Sequence, residues 1–286
     1  MAGETPADEA SFMNWNTNRR AFLAASAAAA LAPGAARASQ AAPAPAPAAD
    51  DAITRLYRSA MVIDGNLVGP FDDVAPLDRA TADQVLSSGL TAFKMTIGGS
   101  SGGFDAVNAD IAAFDKAITL SPDVYMKITT AEDLLAAKRT RRIGVIYSFE
   151  AADMLEGKPD SIDHFSALGV RAMQLGYNTV SPFASGVMAA QPSAGLTALG
   201  REAVARMNAL GVTLDLSHAD ERSSLEAVAA STRPAAITHA GCYSVYAHPR
   251  NKSDAVLRAV AESGGVVGVY ELSYIRAGPE QQSLDD

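Results

Sequence analysis

His218 closes the run Val212-Thr213-Leu214-Asp215-Leu216-Ser217-His218, and His239 closes Ala235-Ala236-Ile237-Thr238-His239. Each follows a short apolar run and a small hydroxyl residue, and each precedes a helical pattern. In a parallel α/β fold this is the carboxyl end of a strand, where barrel folds collect their chemistry. Two neutral imidazoles on successive strand ends suit zinc or a similar divalent ion. The chain has four histidines in all, so a matched pair stands out. The same pattern also suits two core histidines satisfied by backbone groups.

The elements that must carry these residues alternate along the chain. Apolar runs of strand length lie at 61–63, 91–97, 143–149, 170–175, 212–216, 235–238 and 266–270, and most are followed by a helical pattern. Residues 197–210 set Leu199, Ala203, Met207 and Leu210 at helical spacing, with Gly211 as a stop signal. Residues 220–230 and 253–263 repeat the device. A helix between each pair of strands predicts a parallel sheet with right-handed crossovers. The expected fold class is α/β, a (β/α)8 TIM-like barrel, with a doubly wound open sheet as the alternative. No Gly-rich dinucleotide fingerprint follows the first strand. The strands number seven, so the barrel is expected to lack its eighth strand and helix, with the edges of the first and last strands open.

Residues 1–38 read as an address. Arg19-Arg20-Ala21-Phe22-Leu23 carries a twin-arginine pattern, an Ala-rich apolar run follows, and Ala36-Arg37-Ala38 offers small residues to a signal peptidase. The run is too short for a stable membrane span. Residues 39–50, rich in Ala and Pro, read as a linker, and residues 51–286 as the incomplete barrel. Export to the periplasm or beyond is expected. The leader holds three acids and three bases, so the rest keeps the whole net charge of −9. Such an acidic chain is a poor nucleic-acid or anionic-membrane binder. Cys242 is the only cysteine, so no internal disulfide forms. His164 reads as solvated surface, and His248 as a loop-stabilising residue beside Pro249.

The stretch from Gly144 to Tyr270 resembles the membrane (renal) dipeptidases, zinc peptidases related to the amidohydrolase barrels. The resemblance is carried by Phe149-Glu150, the run from Gly195 to His218 (GLTALGREAVARMNALGVTLDLSH), PAAITH ending at His239, YSVYAHPRN over 243–251 and GGVVGVY over 264–270. Val62-Ile63-Asp64-Gly65 is similar to the family's first strand. The resemblance implies that Glu150 bridges two zinc ions as a catalytic ligand and that His218 and His239 bind the second ion. It implies metal-bound hydroxide attack on a dipeptide amide, with Arg250 holding the substrate's terminal carboxylate. Tyr177 is expected to line the pocket, and a homodimer is the candidate assembly. Read without the resemblance, Glu150 could cap a helix over 151–155 and Arg250 could be a surface residue.

Two positions depart from the family pattern. After Asp64-Gly65 the family places a His-x-Asp metal motif, but here Asn66 and Val68 stand at the ligand positions. An amide oxygen is a weak zinc ligand and an isopropyl group is none. The first metal site is therefore expected to be lost unless Asp72 or Asp73 substitutes, leaving one Zn2+. Three readings stay open: an exported zinc dipeptidase, a mononuclear amide or N-acyl-amino-acid hydrolase of the same fold, and a truncated, inactive relative.

Overall fold

The computed structural model describes residues 52–270; the predicted leader, linker and the last residues of the chain lie outside that span. After helix α1 (Ala52–Ser59), strands and helices alternate: β1 (Ile63–Asp64), α2 (Arg79–Ser87), β2 (Ala92–Thr96), α3 (Phe104–Leu120), β3 (Tyr125–Lys127), α4 (Ala131–Thr140) and β4 (Ile143–Phe149). Then follow α5 (Ser161–Ala167), β5 (Val170–Met173), α6 (Ala198–Leu210), β6 (Thr213–Leu214), α7 (Glu221–Ala230), β7 (Ala236–Ala240), α8 (Asp254–Glu262) and β8 (Val266–Val269). Among the described residues the ladder pairings are all parallel. The path runs β1-β2-β4-β5-β6, and a parallel bridge between Asp215 and Ala236 carries it on to β7 and β8.

That path of seven strands matches the seven apolar runs, and the predicted parallel α/β barrel is the fold observed, open in its described part. An eighth strand, β3, was not legible in sequence. It is three residues long and pairs only with the start of β4, off the main path. No pairing joins β8 to β1 among the described residues, and Val266 and Val269 on β8 are exposed.

Local chemistry explains the helix ends. The Thr197, Asp220 and Ser253 side chains accept from the backbone N–H groups of Gly200, Ser223 and Val256, so each predicted first residue is an N-cap. Gly211 ends α6 at φ 71°, a left-handed conformation that favours glycine. Residues 151–155 form only a short 3-10 turn, Asp153–Leu155, so Glu150 caps no α-helix there.

Strand alternation divides the side chains of β4 between two layers. Tyr147 and Phe149 face the helices: the Tyr147 hydroxyl donates to Asp115 on α3, and Phe149 packs edge-on against Phe165 of α5. Ser148 and the following Glu150 face the barrel interior, which is polar at this level.

Candidate metal centre

Glu150 follows β4, His218 lies beyond β6, and His239 is in β7; all three are buried. One ligand atom from each lies within 4.8 Å of the others, the one such group of potential metal ligands among the described residues. The two Nε2 atoms are 3.0 Å apart, and Glu150 oxygens stand 3.9 Å from His218 Nε2 and 3.7 Å from His239 Nε2. A tetrahedral zinc ion bound at about 2.0–2.1 Å spaces its donors roughly 3.3 Å apart, so this set fits one ion.

The outer ring nitrogens decide the tautomers. His218 Nδ1 lies 2.7 Å from the Asn178 amide oxygen, which only accepts, so Nδ1 carries the proton. Thr238 Oγ1 donates to Asp215 Oδ2 at 2.7 Å and therefore accepts from His239 Nδ1 at 2.9 Å. Both Nε2 atoms consequently present lone pairs to the same place, where Arg250 Nη2 stands 3.3 Å from His218 Nε2 and a cation would satisfy the pair. Burial holds His218 well below the usual imidazole range, helped by the neighbouring Arg250 charge. Burial also brings His239 down to about 4, against the pull of Glu150 and Asp215. Both rings are therefore neutral ligands at neutral pH.

Asp215 anchors this layer. Burial alone would raise its pKa, but Lys94, His239 and the hydroxyls of Ser217 and Thr238 hold it below the ordinary carboxylate value. It also accepts from Gln174 Nε2, whose own oxygen receives the His218 backbone N–H.

Tyr177 stacks on the His218 ring, centroids 4.0 Å apart, which sets it beside the centre. Arg250 is buried there too: Nη1 donates to the Ser217 carbonyl at 2.5 Å and Nη2 lies 3.3 Å from His218 Nε2. His248 Nδ1 accepts from the Arg250 backbone N–H, the loop-stabilising role expected of it. His164 is exposed as predicted, with its Nε2 2.6 Å from Asn108 Oδ1.

Asn66 and Val68 do not join the ligand group. Val68 is half exposed, and the Asn66 amide oxygen accepts from Lys94. Asp72 accepts from the backbone of Val74 and Ala75, which commits it to a turn. Sequence reasoning passed over Lys94, Asp215, Asn178 and Lys252. A lysine inside the apolar run 91–97 was the available signal for the first. Lys252, fully buried, donates to the Ala219 carbonyl, and burial beside Arg250 lowers its pKa to about 7.

Known proteins share this architecture and sequence. A solved amidohydrolase from Pseudomonas aeruginosa is 33% identical, with a TM-score of 0.67 over 75% of this chain and 63% of its own. A protein of the pqqA 5′ region from Klebsiella pneumoniae is 31% identical over 160 residues, 54% of this chain and 59% of its own. An uncharacterized dipeptidase of Schizosaccharomyces pombe is 31% identical over 165 residues, 56% of this chain and 40% of its own. The chain thus spans about half the length of these curated relatives. The family model for membrane dipeptidase, peptidase family M19, matches residues 71–286. With most of its length under that match, and with His218, His239 and Glu150 gathered at its strand ends, the chain belongs to the membrane dipeptidase family.

Proposed function

We propose that this protein is a zinc-dependent dipeptidase that works with one metal ion held by Glu150, His218 and His239. The observation that carries the reading is the pair of Nε2 lone pairs 3.0 Å apart beside a buried carboxylate, with both Nδ1 atoms already hydrogen-bonded. A divalent ion there would supply a Lewis acid that activates water and polarises an amide carbonyl. Glu150 would hold that ion through a carboxylate oxygen, and Thr96 orients the carboxylate by donating to Oε1 at 2.9 Å. Arg250 binds the substrate's terminal carboxylate through the Nη2 arm, a guanidinium fork being suited to that group. Tyr177, fixed on the His218 ring, forms the adjoining wall of the pocket. Family membership supports small peptides as substrates.

The proposal includes residues 1–38 as a twin-arginine leader, 39–50 as a linker and 51–286 as the catalytic unit, which places the mature enzyme in the periplasm or outside the cell. No helix among the described residues is long and apolar enough to cross a membrane.

The test is zinc per chain on purified protein after dialysis in metal-free buffer, followed by hydrolysis of a dipeptide panel. About one ion per chain and cleavage of free dipeptides are expected, and His239→Ala loses both. Hydrolysis that survives His239→Ala would refute the shared site. Preference for N-acylated amino acids over dipeptides with a free amine would shift the assignment to the related N-acyl hydrolase.

A further inference from the structure

Lys94 points inward from the middle of β2 and is 3% exposed. Its ammonium lies 3.0 Å from Asn66 Oδ1, 3.2 Å from Ser148 Oγ and 3.5 Å from Thr96 Oγ1. The carboxylates of Glu150 and Asp215 stand 3.7 and 3.9 Å away. All five partners are oxygen atoms contributed by five different positions, so the ammonium sits in an oxygen cage much as a metal ion would. Lysine is almost never fully buried unless paired, and here the pairing is shared between two carboxylates. Glu150 would therefore have positive charge on two sides: an ion held by the imidazoles, and Lys94.

We propose that the Lys94 ammonium permanently takes the place of a first metal ion, so that Glu150 bridges one metal ion and a lysine. The inference deepens the one-ion reading and rests on it. It also explains Asn66: an amide oxygen is a weak metal ligand but a good acceptor for an ammonium hydrogen. A second dication would need electron-pair donors at this spot, and Lys94 offers only N–H groups and like charge. The loss of the His-x-Asp ligands and the inward lysine are thus two parts of one replacement. Restoring the ligands without removing Lys94 leaves the place filled.

The experiment compares zinc per chain in the wild type, in Asn66→His/Val68→Asp, and in that double variant with Lys94→Met added. One, one and two ions per chain are expected. Two ions in the wild type or in the double variant would overturn the proposal, as would a folded triple variant that still holds one. A second measurement needs no metal. In chelator-treated protein, Lys94→Met should lower the Tm by about 10 °C, because it strands buried carboxylates. In a Glu150→Gln background the same change should lower it clearly less. Equal losses in both backgrounds would show that Lys94 does not serve Glu150. If the wild type holds no zinc, the one-ion reading fails while this coupling still reads the lysine's role.

Discussion

Each imidazole at the centre divides its work between its two nitrogens. The outer one is held by Asn178 or by the Thr238–Asp215 pair, and the inner one is turned towards the other ring, with His218 Nε2 also 3.3 Å from Arg250 Nη2. Such outer partners fix the ring's direction and tautomer, so their loss weakens a metal site although no ligand is touched. Thr238→Val and Asp215→Asn are each expected to lower zinc affinity about 10–100-fold, measured by competition with a chromophoric chelator. Protonation gives a second prediction. The folded-state pKa of His239 is depressed to about 4 from 6.5, so between these values the unfolded chain binds a proton that the folded chain does not. Stability of the metal-free protein should be present above pH 6.5 and fall as pH drops towards 4, by on the order of 3 kcal/mol. Denaturant melts across this range check it, and a flat profile would refute the buried neutral ring.

At the scale of elements, the centre depends on close approach at the strand ends. A methyl group on Gly65, just past β1, would lie 2.5 Å from the Thr238 carbonyl oxygen of β7. Gly65→Ala is therefore expected to cost about 1–3 kcal/mol and to disturb the His239 environment, read as a joint loss of Tm and zinc affinity. Thr197→Ala, outside the ligand group, should cost about 1 kcal/mol through its lost cap and leave zinc affinity unchanged. These helix ends were legible because caps and glycine stops are encoded within a few residues. The three-residue β3 was not, because so short a run has no periodicity and owes its strand form to its pairing with β4. The strand β2 was legible, but the direction of Lys94 was not, since a lone lysine in an apolar run is equally consistent with an exposed edge.

At the scale of the whole molecule, the proposed export route is open to a direct check. Replacing Arg19 and Arg20 together with Lys should leave an unprocessed precursor in the cytoplasm, detected by cell fractionation; normal processing would overturn the twin-arginine assignment. By itself, the sequence determined the alternation of strands and helices, the ends of three helices, and the two histidines at matched strand ends. These follow from local steric preference and from polar residues recurring with the period of each element. Only the tertiary structure decided that Lys94, Glu150 and Asp215 share one layer with those histidines. Their distances depend on the register between neighbouring parallel strands and on the curl of the sheet, which no single segment encodes. A buried ammonium or carboxylate is tolerated only once its partners arrive from other strands, so the centre and the folded sheet come into being together.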